Sequence, residues 1–397
     1  MHPIACLQCI VLATGVAADP PPEPPNPALA MAREVVPKTM ASRQSEHFVL
    51  LTDADLASAD VVLKTLESAY RNFHAGCESY GVRPGPIPHR LVAVLFRDQA
   101  DYQRFNQRFS PDIPEWVVGF YDPRADRLVM FDHLSRSDVQ KGLVEIAKNR
   151  ARLEREVAAS GIGPAQTGKA GNTVDQARML VDRDRQRLES DARDGFIATV
   201  AHEATHGLCF GTGVQSRTAG YPFWLSEGLA TNNEPQRADE RDFGFRSVNP
   251  SRRQAFEEAI RESRMPSLAE LVMYSGAPAE DERGEVGRLY AAACFFTKWL
   301  ARERPTELRL YLASLRDGSW SDAASRMERF EAIFGPVDAL ERSWMRDEAR
   351  GWTALMATPA GDRLRAFERT AVRAAALSEG AAGEPAADAK PASSPGK

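Results

Sequence analysis

The sequence His202-Glu203-Ala204-Thr205-His206 restricts this chain more than any other stretch, because its spacing makes chemical sense on a helix. Side chains at i and i+4 lie one turn apart on the same helix face. Both imidazoles then project together and can serve as two cis ligands of a tetrahedral metal ion. Glu203 points toward the side of that ion where a water sits, and can take the water's proton as it attacks a carbonyl. The flanks predict the helix: Phe196, Ile197, Val200, Ala201, Ala204 and Leu208 recur at helical spacing. Asp194 is the expected N-cap, and Gly211 and Gly213 the expected stop. The competing reading is a surface helix with two ordinary histidines.

A third ligand separates the two. Phe223-Trp224-Leu225-Ser226-Glu227-Gly228-Leu229-Ala230 reads as a second short helix after Pro222. A glycine-containing turn over 211–220 lets the chain reverse, so this helix can pack antiparallel to the first and bring Glu227 to face the histidines. Two neutral imidazoles and one carboxylate leave a fourth position for water, which is the pattern of a catalytic zinc rather than a structural one.

H-E-x-x-H followed by W-L-S-E-G-L-A resembles the gluzincin metallopeptidases, most closely the aminopeptidase-type branch with its W-L-N-E-G-F-A helix. The resemblance implies that Glu234 buttresses a metal-bound histidine. It also implies that Tyr290, at the head of an apolar helix, donates to the oxyanion of the tetrahedral intermediate. Tyr121, Tyr221 and Tyr274 compete for that role. The whole chain, with its P-S-L-A-E-L and Y-A-A-A-C-F-F-T-K-W-L blocks, resembles an uncharacterised family of secreted gluzincin-like proteins. One departure matters. The aminopeptidase branch holds the substrate's amino group with the glutamate of a G-A-M-E-N-type segment, and the nearest counterpart, Val117-Val118-Gly119-Phe120-Tyr121-Asp122, has no glutamate. Exopeptidase specificity is therefore not carried over, and an endopeptidase is expected.

Composition narrows the partners. Of 397 residues, 43% are hydrophobic and 26% charged, ordinary values for a soluble globular chain. The net charge of -5 gives no reason to expect nucleic acid, which would need a concentrated basic face. Beyond the N-terminus no apolar run is long enough to span a membrane. Ile4 to Val16 is a mostly apolar run followed by small residues at Ala17 and Ala18, which predicts a signal peptide over 1–18, although no Lys or Arg precedes the run. Its removal leaves Cys77, Cys209 and Cys294, each in an apolar helical context that suits a buried small hydrophobe. Cys209 faces sideways from the metal and is not expected to be a ligand.

The remaining chain divides into a Pro-rich linker over 19–45, a mixed α/β subdomain over 46–136 and an inserted helical hairpin over 137–194. A helical zinc-site subdomain over 195–350 and a C-terminal segment over 351–397 with a disordered tail follow. In the α/β part, strands are expected at Phe48–Thr52 and Leu91–Phe96, with helices capped by Asp55 and Asp98. Residues 117–121 and 127–131 predict a β-hairpin. In gluzincins the corresponding sheet ends in an edge strand along the cleft, to which a peptide can add as an extra strand, and this hairpin is the candidate for it. In the insertion, Val139, Leu143, Ile146, Leu153 and Val157 face Val174, Val181 and Leu188 across a narrow seam, and the second arm can run directly into the zinc-site helix.

The expected fold is α+β: a small mixed β-sheet subdomain packed on a zincin-type helical C-terminal subdomain, with an inserted helical hairpin. The expected function is that of an exported zinc-dependent peptidase acting on peptide or protein substrates. The alternative is a non-catalytic binding or scaffold protein that retains zinc, and an intact Glu203 favours the enzyme because zinc binding alone does not need it. Export has its own test. N-terminal sequencing of the mature protein should begin near Asp19; an intact 1–18 segment on a cytoplasmic chain would contradict the expectation.

Overall fold

The structure, a computed structural model, describes residues 25–159, 169–245, 247–275, 285–317 and 323–355. The expected signal peptide, the middle of the hairpin turn, residues 276–284 and the expected C-terminal tail lie outside the described residues.

Asn26 caps the first helix, accepting the Leu29 N–H at 3.0 Å and donating to the Arg90 carbonyl at 2.7 Å. Pro27 follows at the first helical position, where its missing N–H costs nothing. Helix α1 (Pro27–Val35) and strand β1 (Ala41–Gln44) therefore occupy much of the segment expected to be a linker over 19–45. That expectation is corrected: the proline run ends where a proline can start a helix.

Strand β2 (Phe48–Thr52) leads into α2 (Leu56–Ser79), whose cap Asp55 accepts the Ser58 N–H at 2.8 Å. Strand β3 (Leu91–Phe96) and α3 (Gln99–Phe109), capped by Asp98, precede the hairpin of β4 (Gly119–Asp122) and β5 (Arg127–Phe131). The sheet order is β1-β2-β3-β5-β4. Strands β2, β3 and β5 are parallel, and the outer strands β1 and β4 are antiparallel to their neighbours. Every residue of β3 is buried, as expected for a continuous apolar run covered on both faces. Leu91, Ala93 and Leu95 pack with α2 and the helical half, whereas Val92, Val94 and Phe96 pack with α1 and α3. Strand β4 is left at one edge of the sheet.

Helices α4 (Ser137–Ala159) and α5 (Lys169–Gly211) form the inserted hairpin. Glu154 receives a two-pronged ion pair from Arg178, at 2.9 and 2.7 Å, across the half-buried seam. Helix α5 has 43 residues, roughly 65 Å at 1.5 Å per residue. The second arm and the His202 helix are thus one element. Asp194 is not an N-cap, as expected from sequence; it lies inside α5 and its carboxylate accepts the Ala238 N–H at 2.7 Å. The helix ends at Gly211, and Gly213 has a positive φ of 72°.

The helical half continues with α6 (Phe223–Thr231), α7 (Pro250–Arg261), α8 (Leu268–Met273) and α9 (Glu285–Glu303). Helices α10 (Pro305–Ser314), α11 (Ala323–Phe334) and α12 (Val337–Leu355) complete it. Helix α7 is capped by Asn249, which accepts the Ser251 N–H at 2.9 Å. Helix α9 starts at Glu285, earlier than the apolar run from Leu289 suggests. One core runs from the inner face of the sheet through α5, α6 and α9 to Trp344 of α12. Cys77, Cys209 and Cys294 are all buried and unbridged. Among the described residues, no helix is long and apolar enough to cross a membrane.

Helix α6 approaches α9 so closely that a Cβ on Gly228 would lie 2.0 Å from Thr297 Oγ1 and 2.6 Å from the Ala293 carbonyl oxygen. Overpacking of this kind typically costs about 1–3 kcal/mol. Gly228→Ala should therefore lower the denaturant midpoint by at least that equivalent. A midpoint equal to wild type would contradict the α6–α9 packing.

Candidate metal centre

Helix α5 has its apolar face in the core and turns His202 and His206 toward α6, which packs against it. Glu227 on α6 meets them. His202 Nε2 lies 3.0 Å from Glu227 Oε2 and 3.2 Å from His206 Nε2, and His206 Nε2 lies 3.6 Å from Glu227 Oε2. The three side chains are 8%, 13% and 17% exposed, so they are largely dehydrated yet reachable from one side.

These residues fit a metal ion. Tetrahedral ligands at zinc-like bond lengths lie about 3.3–3.5 Å from one another, close to the three separations observed. The proton inventory agrees. His202 Nδ1 faces Glu234 Oε1 at 2.9 Å and so carries its hydrogen toward a carboxylate. In the neutral ring, Nε2 then directs a lone pair at the Glu227 carboxylate and at His206. Without a cation that arrangement must take up a proton. Burial opposes this, but the Glu227 and Glu234 hydrogen bonds outweigh it and push the His202 pKa up to about 10. Burial also disfavours the Glu227 anion, yet the two histidines hold its carboxyl well below the usual range. A cation at the centre relieves the same conflict with three bonds.

The turn after α6 anchors the cluster from behind. Asn232 donates to the Gly228 and Cys294 carbonyls at 2.8 and 2.7 Å, tying α6 to α9. Asn233 donates to Thr205 Oγ1 at 2.8 Å and to the Ala69 carbonyl at 3.2 Å, tying the turn to α5 and α2. Glu234 follows, its side chain 2% exposed, and receives both His202 and the guanidinium of Arg252. Thr205, Asn232, Asn233 and Arg252 are absent from the sequence-based expectation. The polar run Thr231-Asn232-Asn233-Glu234 inside an apolar region was the available signal for the asparagines.

A groove of about 630 Å³ opens over the cluster, a size suited to specific ligands. Trp116, Val117 and edge strand β4 line it together with Arg252 and Tyr290. Strand β4 lies directly on α5, since a Cβ on Gly119 would come 2.7 Å from Thr199 Cγ2. Glu203 is buried in this groove, without a side-chain hydrogen-bond partner among the described residues, and its carboxyl faces the Tyr121 N–H of β4. Burial raises its pKa, with the Glu227 charge adding to the shift and the two histidines and the Tyr121 N–H opposing it.

Tyr290 sits beside the cluster, its ring 6.0 Å from that of His202. Burial and the Glu227 and Glu203 charges keep its hydroxyl protonated well above the ordinary tyrosine range. The competing tyrosines are otherwise engaged. Tyr121 donates to Asp126 at 2.7 Å and accepts from Arg217 at 2.7 Å. Tyr221 accepts the Ser216 N–H at 2.8 Å, and neither Tyr221 nor Tyr274 is among the residues lining the groove. Cys209 is buried in the core and outside the donor cluster.

Residues 196–318 match a family described as a protein of unknown function, DUF1570. The matched region contains His202, Glu203, His206, Glu227, Glu234, Arg252 and Tyr290, but neither β4 nor most of the hairpin arm. No curated protein matches the chain.

His206→Ala removes one of the three converging donors. Elemental analysis should detect a bound ion in the wild-type protein and its loss in the variant. Full metal content in the folded variant would show that the ion is held elsewhere.

Proposed function

We propose that this chain is a zinc-dependent peptidase of gluzincin type, in which Glu203 is the general base. The observation that carries the proposal is Glu203's position: a buried carboxyl outside the donor cluster, beside its three converging atoms and facing the edge of a β-sheet. Two imidazoles and one carboxylate are a donor set suited to zinc, and His202, His206 and Glu227 would hold it. When bound, the ion supplies Lewis acidity for the substrate carbonyl and the attacking water.

The chain's own residues account for the other steps. The outward backbone groups of β4 can hold an extended peptide as an added strand, side chains alternating between groove and solvent. Glu203 accepts the proton of the attacking water and returns it to the leaving amine. Burial raises its pKa, which favours holding the proton between the two transfers. Tyr290 stays protonated and donates to the carbonyl oxygen as negative charge develops there. Glu234 fixes the His202 tautomer through Nδ1. Residues 117–121 offer no carboxylate to hold a substrate amino group, which supports an endopeptidase acting within peptide or protein chains. Export of the mature chain belongs to the same proposal. The description of the matching family names no activity, so the proposal rests on the chemistry of the site.

Glu203→Gln keeps the shape of the site but cannot take the proton. It should retain zinc while losing ~10²–10⁴-fold in chelator-sensitive cleavage of an unstructured protein substrate. Tyr290→Phe should also keep zinc and lose ~10²–10³-fold. Chelator-sensitive cleavage at the wild-type rate in Glu203→Gln would overturn the mechanism. Zinc binding without cleavage of any substrate by the wild type would favour a binding protein instead.

A further inference from the structure

Arg252 occupies the first turn of α7, where a cation opposes the helix dipole. The fold nevertheless holds it there firmly. One turn on, Phe256 stacks on Phe295 of α9 with ring centroids 4.0 Å apart and planes 15° from parallel. Before the helix, Lys298 of α9 donates to the Ser247 carbonyl at 2.9 Å, and Asn249 donates to the Pro235 carbonyl at 3.2 Å. Arg252 is thus placed by packing that does not involve the metal donors.

From that position the guanidinium touches two parts of the site. Its Nε donates to Glu234 Oε2 at 3.1 Å and its Nη2 to Glu234 Oε1 at 2.8 Å. Oε1 is the atom that also meets His202 Nδ1. A carboxylate held only by His202 is free to swing about its terminal bond, whereas the planar fork of an arginine fixes the carboxylate plane. The same guanidinium lies over the Tyr290 ring, 5.0 Å from its centroid.

We propose that Arg252 is a positioning residue that orients His202 through Glu234 and seats the Tyr290 ring, setting the metal side and the oxyanion side of the groove from one cation. This rests on the peptidase proposal above. A residue needed only to balance the Glu234 charge would be replaceable by lysine. A residue acting through its fork and its flat face would not, since lysine offers neither.

The test uses the full chain with Arg252→Lys and Arg252→Met, each checked for folding by circular dichroism. Zinc affinity is measured by competition with a chromophoric chelator, and ligand geometry by the visible spectrum of the cobalt-substituted protein. Partners of metal-bound histidines typically contribute 10–100-fold in affinity or activity. Zinc binding should therefore weaken by about that factor in Arg252→Met, and measurably in Arg252→Lys, with an altered cobalt spectrum in both. The fall in kcat caused by Arg252→Lys should shrink in a Tyr290→Phe background. If Arg252→Met does not fold, Arg252→Lys decides alone. Wild-type zinc affinity and cobalt spectrum in the folded variants would overturn the role of Arg252 and leave the peptidase proposal standing. A wild-type chain that takes up no zinc would overturn both.

Discussion

Acceptor atoms of His202, His206 and Glu227 converge inside a core that excludes most water, and His202 is flanked by a carboxylate at each ring nitrogen. A cation would relieve this crowding of acceptors, and the surrounding structure keeps the three side chains together. Helix α5 is continuous through the site, so the two histidines cannot move apart without bending a long packed helix. Helix α6 is held by its close approach to α9 at Gly228, immediately after Glu227. The asparagine turn after α6 fastens both helices from behind. Each element is rigid for a reason separate from metal binding, which is what a preorganised site requires.

The position of β4 follows from the same packing. Glycine at 119 lets the strand rest on α5, so the unpaired edge of the sheet runs beside the helix face that carries His202 and His206. Glu203 lies between that edge and the metal donors. Under the proposed mechanism, a peptide added to the edge would be aligned with the carboxyl that takes the proton, so that substrate alignment and proton transfer would come from the two halves of the fold.

Much of this was legible in local sequence. The spacing of His202 and His206 with the apolar stripe beside them gives the helix, and the caps Asp55 and Asp98 are confirmed by bonds within three residues. Glu227 followed from one chain reversal. What was not legible depends on distant partners. Asp194 looks like a cap, but its carboxylate serves the Ala238 N–H, 44 residues away. Asn233 is explained only by Ala69 and Thr205, and Arg252 only by Glu234 and Tyr290. Glu234 and Tyr290 carried no local pattern of their own and were reached through resemblance. The linker expectation over 19–45 failed because a proline-rich flank looks the same whether or not its last proline starts a helix.

The account turns on one cation held by two imidazoles and a carboxylate. X-ray absorption at the zinc edge of the purified protein reads this directly. The account predicts one zinc environment of nitrogen and oxygen at about 2.0–2.2 Å with imidazole scattering, lost in Glu227→Ala. A sulfur shell near about 2.3 Å, or a zinc signal unchanged by that substitution, would contradict it.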